Sequence, residues 1–332
     1  MRILLCVRHD YDRKFAADSI QVIKLSNLLR KLGEVVHINS GEISDFSSYD
    51  IVHLFGLNNT GEIYKHFKMA IRCKNNIVLS PNYWDYSKYY EYKEDAENLK
   101  LWSRCRPYKF EIVKKSKSII YNSVLEKELI ENNFNVSGRS NIIRYGVEVE
   151  DEDVPLYSFK YRYNLERYVL SVAKITESKN QLNMAKACAE LKLPLVLIGG
   201  IIDKNYFKKC MELENVKYFG FMDSYNIYNA YRFAALHVTG GFGEMPGLSC
   251  MEAAASGCNI LLSSDGCANE YFGNRAIYFD PYEEEGLING IEKTIGLRKN
   301  NKLKKFIKET YTWEKYTQEV LEEYRRVIES NI

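Results

Sequence analysis

The chain has 332 residues, 46% hydrophobic and 27% charged. That balance suits a globular protein, and the length exceeds what one core usually organises, so two domains are expected. A net charge of +2 creates no demand for nucleic acid as a partner, and no apolar run approaches a membrane span, so any membrane contact would be peripheral. Eight cysteines lack C-x-x-C spacing. Free thiols in a reducing cytosol, and hence a cytoplasmic placement, are the default expectation.

Along the chain, short β-branched runs alternate with amphipathic stretches. Residues 2–7 read as a strand, and the charges that follow at once argue against a signal peptide. Residues 19–32 read as a helix with apolar positions at helical spacing, stopped by Gly33. Strands follow at 35–38, 50–55, 76–80, 118–122 and 141–144, with helices at 63–71, 110–115 and 124–131. Residues 148–154 (EVEDEDV) are acidic and aperiodic, which marks a linker. The alternation then resumes with strands at 168–172, 193–198, 216–219, 235–239 and 259–263, and helices at 181–191, 225–233 and 247–255. Residues 303–332 are helical and charged, with an interruption at Trp313. The expected architecture is α/β, two doubly wound Rossmann-like domains over 1–147 and 148–312. Such sheets bind ligands at the carboxyl ends of their strands, so two facing domains would place the site in a central cleft.

The most informative stretch is Thr239-Gly-Gly-Phe-Gly-Glu244-Met-Pro-Gly-Leu-Ser-Cys-Met-Glu252-Ala-Ala-Ala-Ser-Gly257. It follows a strand. Its glycines let the backbone approach a ligand closely, Pro246 suits a first helical position and Gly257 a helix stop. The helix start at Gly247, Leu248 and Ser249 offers unpaired N–H groups and a positive dipole end, an anion seat. Two carboxylates beside an anion seat suit sugar hydroxyls, which donate to Glu244 and Glu252. Lys174 and Lys179, just after the first strand of the second domain, could neutralise a diphosphate.

These residues resemble the GT-B glycosyltransferases of the large retaining family four. Glu244 and Glu252 match its E-x7-E motif, and Lys174 and Lys179 its two basic positions. Ile143-Arg-Tyr-Gly146-Val147-Glu is similar to its "xxGVD", Gly266-Cys-Ala-Asn-Glu270 to its "GGxPE", and Trp313 with Tyr316 to a C-terminal helix (313–332) that crosses back to the first domain. The resemblance implies that Lys174 and Lys179 hold the donor diphosphate with the amides of Gly247, Leu248 and Ser249. It implies that Glu244 contacts the donor sugar, that Glu252 binds the ribose, and that Gly220, Phe221 and Met222 lie against the base. It further implies transfer with retention from a nucleotide-diphosphate sugar to a glycan or lipid-linked acceptor, as in bacterial surface polysaccharide or lipopolysaccharide synthesis. The leaving diphosphate would take the acceptor proton, and neither cofactor nor metal would be required. The rival readings are a catalytically silent nucleotide-sugar-binding subunit and another GT-B enzyme such as a nucleotide-sugar epimerase.

The sequence departs from that family in its first half. The first strand runs into Arg8-His9-Asp10-Tyr11-Asp12 where a Gly-Gly pair is common, and Asn82 stands where a histidine is frequent. His9, Asp10 and Asn82 are the acceptor-side candidates. Asp10-Tyr-Asp12 allows a metal-binding D-x-D reading, but a solvated or acceptor-contacting loop is preferred. His37, His53, His66 and His237 read as structural. The aromatic stretch 83–110 reads either as an acceptor- or membrane-facing surface or as a helical excursion packed on the first domain.

Overall fold

The computed structural model describes residues 1–13, 16–149, 155–299 and 301–330. Of the acidic linker expected at 148–154, residues 150–154 lie outside the described residues. The chain divides into two compact units, Met1–Gly146 with Tyr311–Ile332, and Val147–Thr310.

The first unit runs β1 (Arg2–Cys6), α1 (Ala17–Lys31), β2 (Val35–Asn39), β3 (Ile51–Phe55), α2 (Thr60–Arg72), β4 (Asn76–Ser80), α3 (Ser87–Tyr92), α4 (Ala96–Lys115), β5 (Ser118–Tyr121), α5 (Val124–Phe134) and β6 (Ser140–Ile142). Its six strands are all parallel, in the order β2-β1-β3-β4-β5-β6. Strands covered on both faces must be apolar throughout rather than alternating, and β3 is buried at every position. Leu4, Val52, Leu54, Ile77 and Leu79 meet Phe67 of α2 and Ile112 of α4 in one core.

Helix α4 corrects the expectation of a helix confined to 110–115. It starts at Ala96 under an Asp95 cap and carries Pro107 inside it, where a missing N–H ordinarily argues for a break. Packing outweighs that loss. Trp102 stacks on Tyr83 at 18°, and the Lys109 ammonium lies 3.0 Å from the Trp102 ring centroid. Burial pulls the Lys109 amine down to about 8. Tyr83 and Trp102 thus belong to the core of the unit, whereas Tyr92, Leu101, Tyr108 and Phe110 are exposed.

The second unit runs α6 (Phe159–Arg162), β7 (Val169–Val172), a 3-10 turn (Glu177–Lys179), α7 (Gln181–Glu190), β8 (Leu195–Ile198), α8 (Lys204–Met211), β9 (Val216–Tyr218), α9 (Ser224–Phe233), β10 (Leu236–Thr239), α10 (Leu248–Ala255), β11 (Ile260–Ser263), α11 (Ala268–Phe272), β12 (Ile277–Phe279), α12 (Glu284–Ile295) and α13 (Asn301–Thr310). Its parallel sheet has the order β12-β11-β10-β7-β8-β9, with Val169, Leu197, Val238 and Leu261 in its core. Strand β12 and helices α8, α11 and α12 go beyond the sequence reading. So does the position of Pro246: helix α10 begins at Leu248 with Gly247 as its N-cap, so Pro246 precedes the helix.

The C-terminal segment breaks at Tyr311–Thr312. Thr312 caps α14 (Trp313–Glu329) by accepting from the Lys315 N–H. This helix packs in the first unit through buried polar bonds. Tyr324 pairs with His53 Nδ1 at 2.6 Å, Ser118 donates to Glu323 at 2.7 Å, and Gln21 donates to Tyr316 at 2.7 Å. A Cβ on Gly146 would collide with the Trp313 backbone, so only glycine permits that approach. Among the described residues, no helix is long and apolar enough to cross a membrane, and all eight cysteines are free.

Candidate active site

In an open parallel sheet, ligands bind where the strand order reverses, outside the carboxyl ends. In the second unit that point lies between β7 and β10, which pair side by side. The loops that leave these two strands carry Lys174 with Lys179 and Gly240 to Glu244.

The two loops are knitted together. The Phe242 N–H donates to the Ser178 carbonyl at 2.9 Å. Gly241 admits no side chain, because a Cβ there would run into Glu244 Oε1 and the Ser178 carbonyl. Glu244 is gripped from the other side by the loop after β11: its N–H donates to the Asp265 carbonyl at 2.9 Å, and its carbonyl accepts from the Cys267 N–H at 3.0 Å. A Cβ on Gly266 would overlie the Glu244 carbonyl. The Asp265 carboxylate accepts from the Gly243 N–H and the Tyr282 hydroxyl, both at 3.1 Å.

This clamp aims a carboxylate. Glu244 is 3% exposed, and Lys179 Nζ donates to both its oxygens, at 2.8 and 2.9 Å. A buried carboxylate needs such a partner, since desolvation otherwise costs several kcal/mol. Lys179 remains half-buried, so its ammonium can also face a ligand. The same carboxylate borders the start of α10: a Cβ on Gly247 would lie 3.5 Å from Glu244 Oε2. Gly247 has φ 76° and supplies no side-chain cap, which leaves the first amides of α10 without an intrahelical partner. A seat for a negative group beside Glu244 results.

The other candidates sit around this centre. Lys174 is half-buried in the loop after β7, and its carbonyl accepts from the buried Gln181 side chain at 2.8 Å. Leu248 is buried and Ser249 half-buried at the start of α10, and Glu252 lies farther along it, accepting from the Tyr231 hydroxyl at 3.3 Å. Gly220 has φ 70° and its carbonyl accepts from the Gly199 N–H at 2.8 Å. Phe221 is 71% exposed, with Met222 half-buried beside it. This segment follows β9, two strands from β7, on the order of 10 Å along the sheet edge. Burial pushes the Cys250 thiol well above its ordinary range, and its Sγ is engaged with the Gly247 carbonyl at 2.8 Å. That is the opposite of a nucleophile's environment.

The sequence reading did not single out Gln181 or Asp265. Among the described residues, Gln181 and Thr239 each carry a buried oxygen without a partner, Oε1 and Oγ1. Gln181 looks like any polar residue at a helix start, and Asp265 like any loop acid. Only their positions distinguish them.

In the first unit the candidates are occupied within the unit. His9 holds Glu62 through its N–H and its Nδ1, both at 2.8 Å. Asp10 pairs with buried Arg8, which also donates to Asp18 at 2.7 Å and to Ser19 at 2.8 Å. Asp12 faces Arg13 at 3.7 Å. Asn82, at φ 45°, donates to Gln21 at 2.9 Å and accepts from Tyr145. Among the described residues no group of three or more His, Cys, Asp or Glu could hold a metal ion.

Comparison with known proteins matches residues 157–313 to the family described as glycosyl transferases group 1. No curated protein matches the chain. Among solved structures, sucrose-phosphate synthase from Thermosynechococcus elongatus aligns with TM-score 0.81 and 14% identity over 99% of this chain and 100% of that one. WaaG, a glycosyltransferase involved in lipopolysaccharide biosynthesis, aligns with TM-score 0.69 and 11% identity over 96% and 98%. A trehalose-6-phosphate structure from E. coli bound with UDP-2-fluoro glucose aligns with TM-score 0.63 and 12% identity over 92% and 76%. At such identities the likeness shows the fold, which is GT-B. With this fold, and with a glycosyl transferases group 1 domain over residues 157–313, the chain is a glycosyltransferase.

Proposed function

We propose that the chain transfers a sugar, with retention, from a nucleotide-diphosphate sugar to a glycan or lipid-linked acceptor. The observation that carries this reading is the Lys179–Glu244 pair, clamped at the sheet's switch point against the uncapped start of α10. The diphosphate sits on the amides of Gly247, Leu248 and Ser249 with Lys174 and Lys179 as its cations. Glu244 accepts from donor-sugar hydroxyls, Glu252 from the ribose, and Gly220 to Met222 lie against the base. His9, Asp10 and Asn82 border the acceptor. The acceptor oxygen bonds to the anomeric carbon as that carbon's bond to the diphosphate breaks. The acceptor proton passes to the leaving diphosphate, so neither a protein base nor a metal or other cofactor takes part. Similarity to WaaG and to a structure holding a UDP-sugar supports a UDP-sugar donor and a bacterial surface-glycan setting.

The test is incubation with UDP-, GDP- and ADP-sugars and an acceptor panel, following release of nucleoside diphosphate, with the anomeric configuration of the product read by NMR. Release from one donor class with a retained anomer is expected. Binding without turnover on every donor would instead identify a silent subunit, and isomerised donor an epimerase.

A further inference from the structure

The amino end of the second unit's sheet holds a cavity that sugar transfer does not use. Its volume is about 550 Å³ and its lining includes Lys160, Glu166, Arg167, Arg232, Phe233 and Lys299. Small-molecule sites span roughly 300–1,000 Å³. Arg167 lies just ahead of β7 and Phe233 just ahead of β10, the strands whose carboxyl ends lead to Lys174 and Glu244. On the order of 20 Å of near-extended chain separates Arg167 from Lys174.

Four cations converge there from distant parts of the sequence: α6, the connection to β7, the last turn of α9 and the segment after α12. Three have a structural task at helix C-termini. Arg167 donates to the Ile295 carbonyl at the end of α12, Arg232 to the Ser256 carbonyl at the end of α10 (3.1 Å), and Lys299 to the Arg232 carbonyl in α9. Magnitudes decide whether this accounts for them. Each helix end is worth about −0.5 charge, so three ends and the Glu166 carboxylate offset about 2.5 of four positive charges. Among the described residues none of the four forms an ion pair. Burial, and then the like charges of Arg232 and Lys160, pull the Lys299 amine below its ordinary value. The surplus is positive, and each guanidinium has donors to spare.

We propose that this cavity binds a phosphate-bearing anion of two or more charges, a diphosphate or phosphomonoester, held by Lys160, Arg167, Arg232 and Lys299. Forked N–H donors match phosphate oxygens in pairs, and Phe233 offers an apolar floor for whatever carries the phosphate.

Inorganic pyrophosphate is the probe, titrated by calorimetry into the full chain at low salt. It would also reach the donor seat, so variants separate the two events. Combined Lys160→Gln and Lys299→Gln should weaken one event about tenfold or more and leave the other intact, whereas Lys179→Gln should do the reverse. The Lys160 side chain makes no hydrogen bond or ion pair among the described residues, so Lys160→Gln alone should weaken the same event about threefold with an unchanged melting temperature. Vesicles distinguish the source of the phosphate. Pyrophosphate binding without sedimentation on phosphatidic acid vesicles identifies a soluble ligand. Sedimentation on phosphatidic acid but not phosphatidylcholine, lost in the double variant, identifies a lipid phosphomonoester headgroup. If folded double variant binds pyrophosphate and vesicles as the unaltered chain does, the cations serve the helix ends only and the proposal fails.

Discussion

The two units share a plan, a six-stranded parallel sheet with one reversal of strand order, but they furnish that reversal differently. In the first unit it lies between β1 and β3, and the residues after β1 satisfy one another: Arg8 with Asp10 and Asp18, His9 with Glu62. In the second it lies between β7 and β10, and its residues form a partly open arrangement. There a carboxylate is held by a half-buried lysine beside helix amides without a cap, and among the described residues Gln181 and Thr239 each keep a buried oxygen without a partner. A shared topology offers two crevices. Side-chain chemistry decides what each can take.

Four experiments sharpen or break this contrast. Glu244→Ala should have the largest effect, lowering kcat/KM roughly 100-fold or more while the fold persists. Near-normal kinetics would dissolve the contrast. Lys179→Ala should raise the donor KM and lower kcat for a combined loss on the order of tenfold; an effect on neither would detach Lys179 from the donor. Acid unfolding treats both units alike. Burial lowers His53 in the first unit and His237 in the second from 6.5 to about 3. Both are neutral when folded and protonate more readily when unfolded. Their stability is therefore complete above about pH 6.5 and falls from there toward pH 3, by up to about 1.4 kcal/mol per pH unit for each histidine. Denaturant titrations at several pH values check this, and a flat profile between pH 6.5 and 4.5 would contradict it. The smallest effect should come from Asn82→Ala, which strands the Gln21 and Tyr145 partners and costs about 1 kcal/mol of stability. A large loss of activity without that destabilisation would show that Asn82 acts chiefly on the acceptor rather than on the fold.

Much of the fold was legible in the residues. Runs such as Asn76–Ser80 and Ile51–Phe55 read as strands because burial on both faces demands continuous apolar sequence. Helix α10 was legible from its stop at Gly257, which lies in the left-handed region at φ 80°. Its start was read one residue early because Gly247, not Pro246, provides the turn. Helix α4 was mostly missed, since Pro107 and its charged neighbours carry no stripe and its support comes from Tyr83, distant in sequence. Strand β12, three residues long, is too short to carry a period.

By itself the sequence determined the alternation of strands and helices, the glycine-rich turn before α10 and the types of residue available for a donor site. These are local matters of period, backbone freedom and chemistry. Tertiary structure alone decided that Lys179 closes on Glu244, that Asp265 and Gly266 grip its backbone, and that Asp10 and Asn82 are bonded within the first unit. Those outcomes depend on which strands lie side by side. That follows from burying two whole sheets rather than from any one stretch of chain.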